Sequence, residues 1–350
     1  MTSSVSKPFA DRQGRRLAVA ALVGLWLWPF DLAVARTITD SAGRQVEVPD
    51  SIARVHAAGP PASVLLYALA PQKMIGWLRA PRDSQKPFLM PAARMLPTIG
   101  RLTSRTDLER LAGDKPDLIV DFGAVNDNYR SLANRVQAET GIPYLLVDGR
   151  LEATPNSLRL LGGVLGVAER GEALARAAVD TYAQVDRVLA DVTADKRARV
   201  YFAGGDDGLQ TGSEGTNIAE IIERSGGINV AGGERQRGKV SVEQVAGWAP
   251  DTILTFNRKF RETVASRPEW QAVPAVAKGR IFVSPDVPFG FVHEPPSINR
   301  LIGVTWLLHV LYPDKAPGNI REQVRAFYRL FYQVDVTESD VAQVLEGSGN

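Results

Sequence analysis

Leu174, Ala178, Thr181, Val185, Val188 and Val192 recur at three- and four-residue steps through a run rich in Ala, Glu, Leu and Arg. That spacing lays one apolar stripe along a helix, and the composition is that of a strong helix former. No glycine lies between Gly171 and Gly204, and no proline between Pro155 and Pro250. The stretch 169–199 therefore predicts one long, unbroken helix. About 25 residues of it would reach roughly 37 Å, longer than a small lobe is wide.

Similar segments flank this helix. Residues 107–120 read DLERLAGDKPDLIV, and residues 241–254 read SVEQVAGWAPDTIL. Aligned without gaps, Glu109, Ala112, Gly113, Pro116, Asp117 and Ile119 match Glu243, Ala246, Gly247, Pro250, Asp251 and Ile253. Each copy predicts a cap, a short helix, a break at Gly, then Pro-Asp opening a buried strand. A repeat this widely spaced implies two like lobes rather than a solenoid, with the long helix as a strut between them.

Elsewhere, residues 37–48 alternate about Ser41-Ala42-Gly43 as a hairpin does. Strands are expected at 54–58, 73–77, 117–122, 142–147, 198–203 and 280–283. Helices are expected from Ser63 as cap to residue 70, and at 126–140, 157–167, 217–224, 260–266, 298–311 and 317–332. Thr337 with Asp340 has the capping-box spacing for a last helix. Strand alternating with helix argues for parallel α/β. The expected fold is two Rossmann-like lobes with parallel-type sheets, joined by one long backbone helix, with a ligand cleft between the lobes. The boundaries read 1–35 for a secretory signal peptide, 36–167 for the N-terminal lobe, 168–196 for the connecting helix and 197–350 for the C-terminal lobe.

The first segment is a targeting signal rather than fold. Arg12, Arg15 and Arg16 precede an apolar run over 17–30, and Ala33-Val34-Ala35 supplies a small-x-small site for cleavage after Ala35. Pro29 and Asp31 interrupt a run already short for a membrane span. Arg15-Arg16 leaves twin-arginine export open beside the general route. The 350-residue chain has no cysteine, which excludes disulfides, thiolate metal sites and a lipidated N-terminal cysteine. An exported, soluble, non-lipidated chain of this kind is expected in the periplasm, as a monomer without stable membrane insertion. Of 41 basic and 39 acidic residues, the first 35 positions hold four and two, so the remainder carries 37 of each. No nucleic-acid surface is implied.

Candidate chemistry is sparse. His56 falls in a strand and His309 in an apolar helix, both as core residues, while His293 lies in a loop beside Phe289, Phe291 and Glu294. Three scattered histidines make no evident metal site. Residues 233–239 match the spacing of a phosphate loop, but Val240 stands where a magnesium-holding Ser or Thr belongs. Residues 204–208 (GGDDG) read as a tight strand-to-helix turn, at the strand end where open α/β lobes bind ligands. There is no G-x-S-x-G elbow, which weighs against a hydrolase on the same lobes. The loops expected to face one cleft carry Trp77, Arg79, Arg101 and Phe122 from the first lobe. The second lobe contributes residues 204–212, Arg237, Lys239, Asn257, Phe289, Phe291 and His293. Aromatics with arginines suit a large, partly apolar anion.

The mature chain resembles the periplasmic substrate-binding proteins that have two α/β lobes and one connecting helix. These serve ABC importers of ferric siderophores, haem, cobalamin and related chelates. The resemblance rests on Ile38-Thr39-Asp40 with Gly43-Arg44 and Pro49, the 109–120 copy, residues 204–211, residues 225–231 (SGGINVA) and 240–253. It continues through Pro288-Phe289-Gly290-Phe291, residues 295–301 (PPSINRL) and Leu311-Tyr312-Pro313-Asp314. The branch with this closing motif includes a molybdate- or tungstate-binding relative. The resemblance implies a non-enzymatic receptor that holds no cofactor of its own and carries a ferric chelate or similar small-molecule metal complex, with the oxyanion as the alternative cargo. It implies a small rocking motion about the strut and docking on a permease dimer driven by a cytoplasmic ATPase. Acidic residues on each lobe would pair with permease arginines: Glu109 on the first, and Glu214 or Glu220 on the second.

Overall fold

Short runs of β-branched and aromatic residues build two parallel sheets, one before and one after the long helix. In the computed structural model, which describes residues 35–100, 105–233 and 239–348, a hairpin of β1 (Ala35–Thr39) and β2 (Gln45–Pro49) comes first. The first sheet runs β3 (Val55–Ala57), β4 (Leu118–Gly123), β5 (Tyr144–Asp148), all parallel. The second has the order β7-β6-β8-β9, with β6 Arg199–Ala203, β7 Ile228–Asn229, β8 Thr252–Thr255 and β9 Ile281–Val283, also all parallel.

Helices cover these sheets. Around the first lie α1 (Pro60–Leu69), the single turn α2 (Pro91–Arg94), α3 (Arg105–Asp114), α4 (Asp127–Thr140) and α5 (Thr154–Val164). The strut is α6 (Ala168–Ala190), 23 residues long and ending nine short of Arg199. After it come α7 (Asn217–Arg224), α8 (Val242–Trp248), α9 (Arg258–Val264), the turn α10 (Pro274–Ala277), α11 (Arg300–Leu311), α12 (Ile320–Phe327) and α13 (Glu338–Val344). Leu174, Ala178, Val185 and Val188 of α6 are buried, as the stripe predicts. The strut approaches α5 closely at a glycine pair. A Cβ on Gly162 would stand 2.9 Å from the Gly171 Cα, and one on Gly171 would stand 2.7 Å from the Leu158 carbonyl oxygen.

The two copies share one stitch. Asp117 Oδ2 accepts from the amides of Ala53 and Arg54 at 2.7 and 2.8 Å, and Asp251 Oδ2 accepts from the Arg199 amide at 2.9 Å. Arg54 and Arg199 then turn their guanidinium groups onto carbonyls at the end of α3 and α8, Asp114 and Trp248, each at 2.7 Å. The helix breaks fall two residues after the glycines. Lys115 (φ 47°) and Ala249 (φ 45°) leave the helix in the left-handed region, because the prolines that follow disfavour right-handed helix at the preceding residue. Asp107 lies in the first turn of α3 rather than at its cap, whereas Ser241 caps α8 with a full capping box.

Other local expectations shift. Ser63 is not a cap: Pro60 and Pro61 open α1, with Gly59 before them, and Ser63 is buried inside the helix. Residues 73–77 make only isolated bridges, Val55 to Met74 and Trp77 to Thr98. Residues 204–208 do not lead straight into a helix. Gly204 pairs with Gln210 in a loop that folds back on itself before α7. His309 is only part-buried, and its Nε2 meets Gln323 Oε1 at 2.9 Å.

One apolar core runs through both lobes, from Val46 to Leu345. Its centre is aromatic. Tyr67 of α1 packs against Trp77 (5.6 Å between ring centres), Phe289 (6.1 Å) and Tyr332 (6.1 Å), and its hydroxyl donates to the Tyr332 carbonyl at 2.7 Å. Late segments of the chain thus return to the first lobe. Gln85 Nε2 reaches the Pro288 carbonyl at 2.7 Å, and Ser297 Oγ reaches that of Pro61 at 2.7 Å.

His56 is 1% exposed, on β3, and neither ring nitrogen has a hydrogen-bond partner among the described residues. Burial, then the Arg110 charge, lowers its pKa from 6.5 to about 4. A lowered folded pKa means that its contribution is fully present above 6.5 and is lost as pH falls through 4. Urea unfolding from pH 7.5 to 4.5 should show stability draining from the wild type across that window. His56→Leu should lose markedly less; equal losses in both would contradict the assignment.

Candidate functional site

The carboxyl ends of parallel strands converge on a cleft between the lobes, where open α/β sheets place their ligands. Its first chamber, about 750 Å³, is lined by Ala58 to Pro61 after β3, Phe122 to Ala124 at the end of β4, and Gly149 and Arg150 after β5. Gly215, Thr216, Asn217, Glu220 and Glu223 close it from the second lobe. The second chamber, about 940 Å³, is lined by Gly204, Gly205 and Gln210 to Gly212 after β6, and by Phe256 to Lys259 after β8. Lys239, His293 and Glu294 complete it, and the two chambers share Thr216 and Asn217.

The chambers differ in charge. The first holds Asp121, Glu220 and Glu223 against Arg150. Asp121 Oδ2 accepts from the Tyr144 hydroxyl at 3.0 Å, yet burial outweighs that bond and raises the carboxyl above its ordinary range. Burial raises Glu223 as well, helped by the neighbouring carboxylates of Glu214 and Glu220. The second chamber holds Lys239, Arg258 and Lys259 against Glu294. Lys239 pairs with Asp207 at 2.8 Å, and its hydrogen bond holds that carboxyl below the usual range.

Where the lobes meet beside the first chamber, Arg300 at the start of α11 has a side chain only 1% exposed. A buried guanidinium needs acceptors. It donates to the Gly149 carbonyl of the first lobe and to Glu220 Oε2 of the second, the latter at 2.5 Å. Glu220 Oε1 accepts from the Leu151 amide at 2.5 Å. Glu220, expected as one of two candidates for a docking surface, is thus bonded into the lobe junction with 27% of its side chain exposed. Glu109 on α3 and Glu214 before α7 are exposed.

Of the four expected aromatics, Phe122 lines the cleft and the other three do not. Trp77, Phe289 and Phe291 are 4%, 8% and 0% exposed and belong to the apolar core. Trp77 Nε1 donates to the Ala93 carbonyl at 2.7 Å. Tyr67 of α1 takes the rings of Trp77 and Phe289, and the Phe291 backbone lies against Gly303 of α11. Arg79 is exposed and lines neither chamber. Arg101 and Arg237 lie outside the described residues. Phe122 lines the first chamber, and His293 lines the second, stacked on Phe256 with ring centres 6.0 Å apart. Asp121, Tyr144, Glu223, Phe256 and Lys259 line the cleft without having been singled out from the sequence. Position just beyond the carboxyl end of β8 is a signal that could find Phe256 and Lys259; Tyr144 opens β5 and Glu223 lies on α7, where no such signal points.

Among the described residues, no three histidine or carboxylate side chains converge as a metal site, and no helix is long and apolar enough to cross a membrane.

A family model described as periplasmic binding protein matches residues 80–288. A solved ABC transporter solute binding protein from Sulfurospirillum deleyianum is 28% identical with a TM-score of 0.80, covering 89% of this chain and 99% of that one. A periplasmic solute binding protein from Veillonella parvula is 22% identical with a TM-score of 0.75, covering 91% and 99%. The molybdate-binding protein MolA of Haemophilus influenzae is 24% identical over 345 residues, 90% of this chain and 95% of that protein.

Glu220→Ala should cost about 3 kcal/mol, because it strips a partner from a buried guanidinium, while Glu220→Gln keeps the Leu151 acceptor and should cost less. Urea midpoints of the purified variants measure this. An Ala variant as stable as wild type would return Glu220 to the free surface.

Proposed function

The chain belongs to the periplasmic binding protein family, and on that premise we propose that it is the receptor of an ABC importer for a ferric siderophore or similar metal chelate. The observation that carries this reading is the cleft: chambers of about 750 and 940 Å³ meeting at Thr216 and Asn217. Pockets for drug-sized molecules fall in this range, whereas a compact oxyanion needs far less room. Lys239, Arg258 and Lys259 suit a cargo carrying negative charge. The loaded receptor hands its cargo to a permease dimer driven by a cytoplasmic ATPase, with Glu109 and Glu214 as the acidic contacts.

A second reading makes the cargo molybdate or tungstate. It is favoured by the named function of the 24% identical relative. Tryptophans 77, 248, 270 and 306 line neither chamber, so heat is a better readout than their fluorescence. Calorimetric titration of protein lacking residues 1–35 should cover ferric catecholate, hydroxamate and citrate complexes, haem, cobalamin, molybdate and tungstate. The expected result is saturable one-to-one binding of an iron chelate, tighter than either oxyanion. Oxyanions binding tighter than every chelate would transfer the cargo to the second reading. Silence across the panel from folded protein would remove both.

A further inference from the structure

Thr211 lines the second chamber at 6% exposure, and its hydroxyl has no hydrogen-bond partner among the described residues. Leaving a buried hydroxyl unpaired costs about 1–3 kcal/mol, so a hydroxyl kept at a cavity wall points to a partner the cavity receives. The loop holding it is fixed. Asn229 Nδ2 donates to the Gly212 carbonyl at 2.9 Å, and Gly212 lies so close to α7 that a Cβ would stand 2.7 Å from that of Ile218.

The first turn of α7 faces the same space. The eight-residue helix is capped by Thr216, whose Oγ1 accepts from the Ala219 amide at 3.2 Å, while the Thr216 amide turns to the Ser213 carbonyl at 3.2 Å. The next two amides, of Asn217 and Ile218, have no preceding turn to bond to, and both residues line the chamber. A helix start favours negative charge. Lys239 lines the chamber at 67% side-chain exposure, its backbone bridged to Gln210 beside Thr211 and its ammonium 2.8 Å from Asp207, and Arg258 and Lys259 line it too, against Glu294.

We propose that Thr211, the amides of Asn217 and Ile218, and Lys239 form an oxyanion subsite that seats the negative group of the cargo. The inference deepens the receptor reading and takes from it the cleft as the place of binding. The group is either a free tetrahedral oxyanion or an anionic arm of a chelate, and both offer the same acceptors to the hydroxyl and amides.

The probe is sodium tungstate, titrated calorimetrically into wild type, Thr211→Val, Thr211→Ser and Lys239→Glu. Wild type should bind it saturably. Thr211→Val should weaken binding by about tenfold or more, the worth of one hydrogen bond to a charged group, with an unchanged or raised melting temperature because the unpaired hydroxyl is gone. Thr211→Ser should hold affinity near wild type. Lys239→Glu changes an exposed side chain, so it keeps the test open should the valine variant fail to fold, and it too should weaken binding by about tenfold or more. Tungstate that fails to bind wild type at millimolar concentration overturns the subsite, as does equal affinity in Thr211→Val or, where that variant does not fold, in Lys239→Glu. Competition separates the two sources: a bound iron chelate that excludes tungstate carries the anionic arm itself, and tungstate binding in the absence of any chelate affinity makes the oxyanion the cargo. A chelate that binds while tungstate does not would leave the receptor reading standing and remove the subsite alone.

Discussion

Arg300 is the constraint on which the junction of the lobes rests. A guanidinium taken out of water must find acceptors with good geometry, or its burial costs several kcal/mol. Here the acceptors come from both sides: the Gly149 carbonyl just after β5, and the Glu220 carboxylate on α7. Glu220 in turn accepts from the Leu151 amide. The strand end that lines the first chamber and the helix that separates the two chambers are thus held by one charge network. What the cleft presents to a ligand depends on that spacing.

The likeness of the lobes has a physical basis in the Pro-Asp stitch. In each, a carboxylate at the start of a strand holds the amide of an arginine on the neighbouring strand segment, and that arginine covers the carbonyls of the preceding helix. The device sets the amino end of each sheet and leaves the carboxyl ends free. The chemistry then differs by lobe. Acidic side chains gather in the first chamber and basic ones in the second, so a ligand with its charge on one side has one preferred orientation.

Local signals carried much of this into the sequence. The bounds of α7 at Asn217 and Arg224, the capping box of Thr337 with Asp340, and the buried stripe of α6 follow from cap chemistry and periodicity, which act within a few residues. The fates of Trp77, Phe289 and Phe291 do not. Trp77 ends an expected strand and the other two sit in a stretch that reads as loop, and only tertiary packing decides that the rings face inward: Tyr67 on Trp77 and Phe289, Tyr332 on Phe289, and the close approach of Gly303 to the Phe291 backbone. Residues 73–77 have strand composition, but they meet their neighbours through isolated bridges. Thr211 falls within the span 204–212 expected at the cleft, but its unpaired hydroxyl left no trace, because a missing hydrogen bond is a property of what surrounds a residue rather than of its type.

The aromatic seam formed by Tyr67, Trp77, Phe289 and Tyr332 also bears on how the molecule can move. The lobes are joined covalently through the strut, by packing through the seam and by hydrogen bonds through Arg300. Each further point of attachment between two rigid bodies removes freedom: one allows pivoting in any direction, and two allow turning about a single line. A third, off that line, stops even this until it lets go. The covalent and the packed attachments are costly to part, whereas hydrogen bonds exchange readily with water. Of the three attachments, the set of hydrogen bonds at the guanidinium is therefore the one that parts with least cost, and the strut and the seam define the line about which the lobes stay joined.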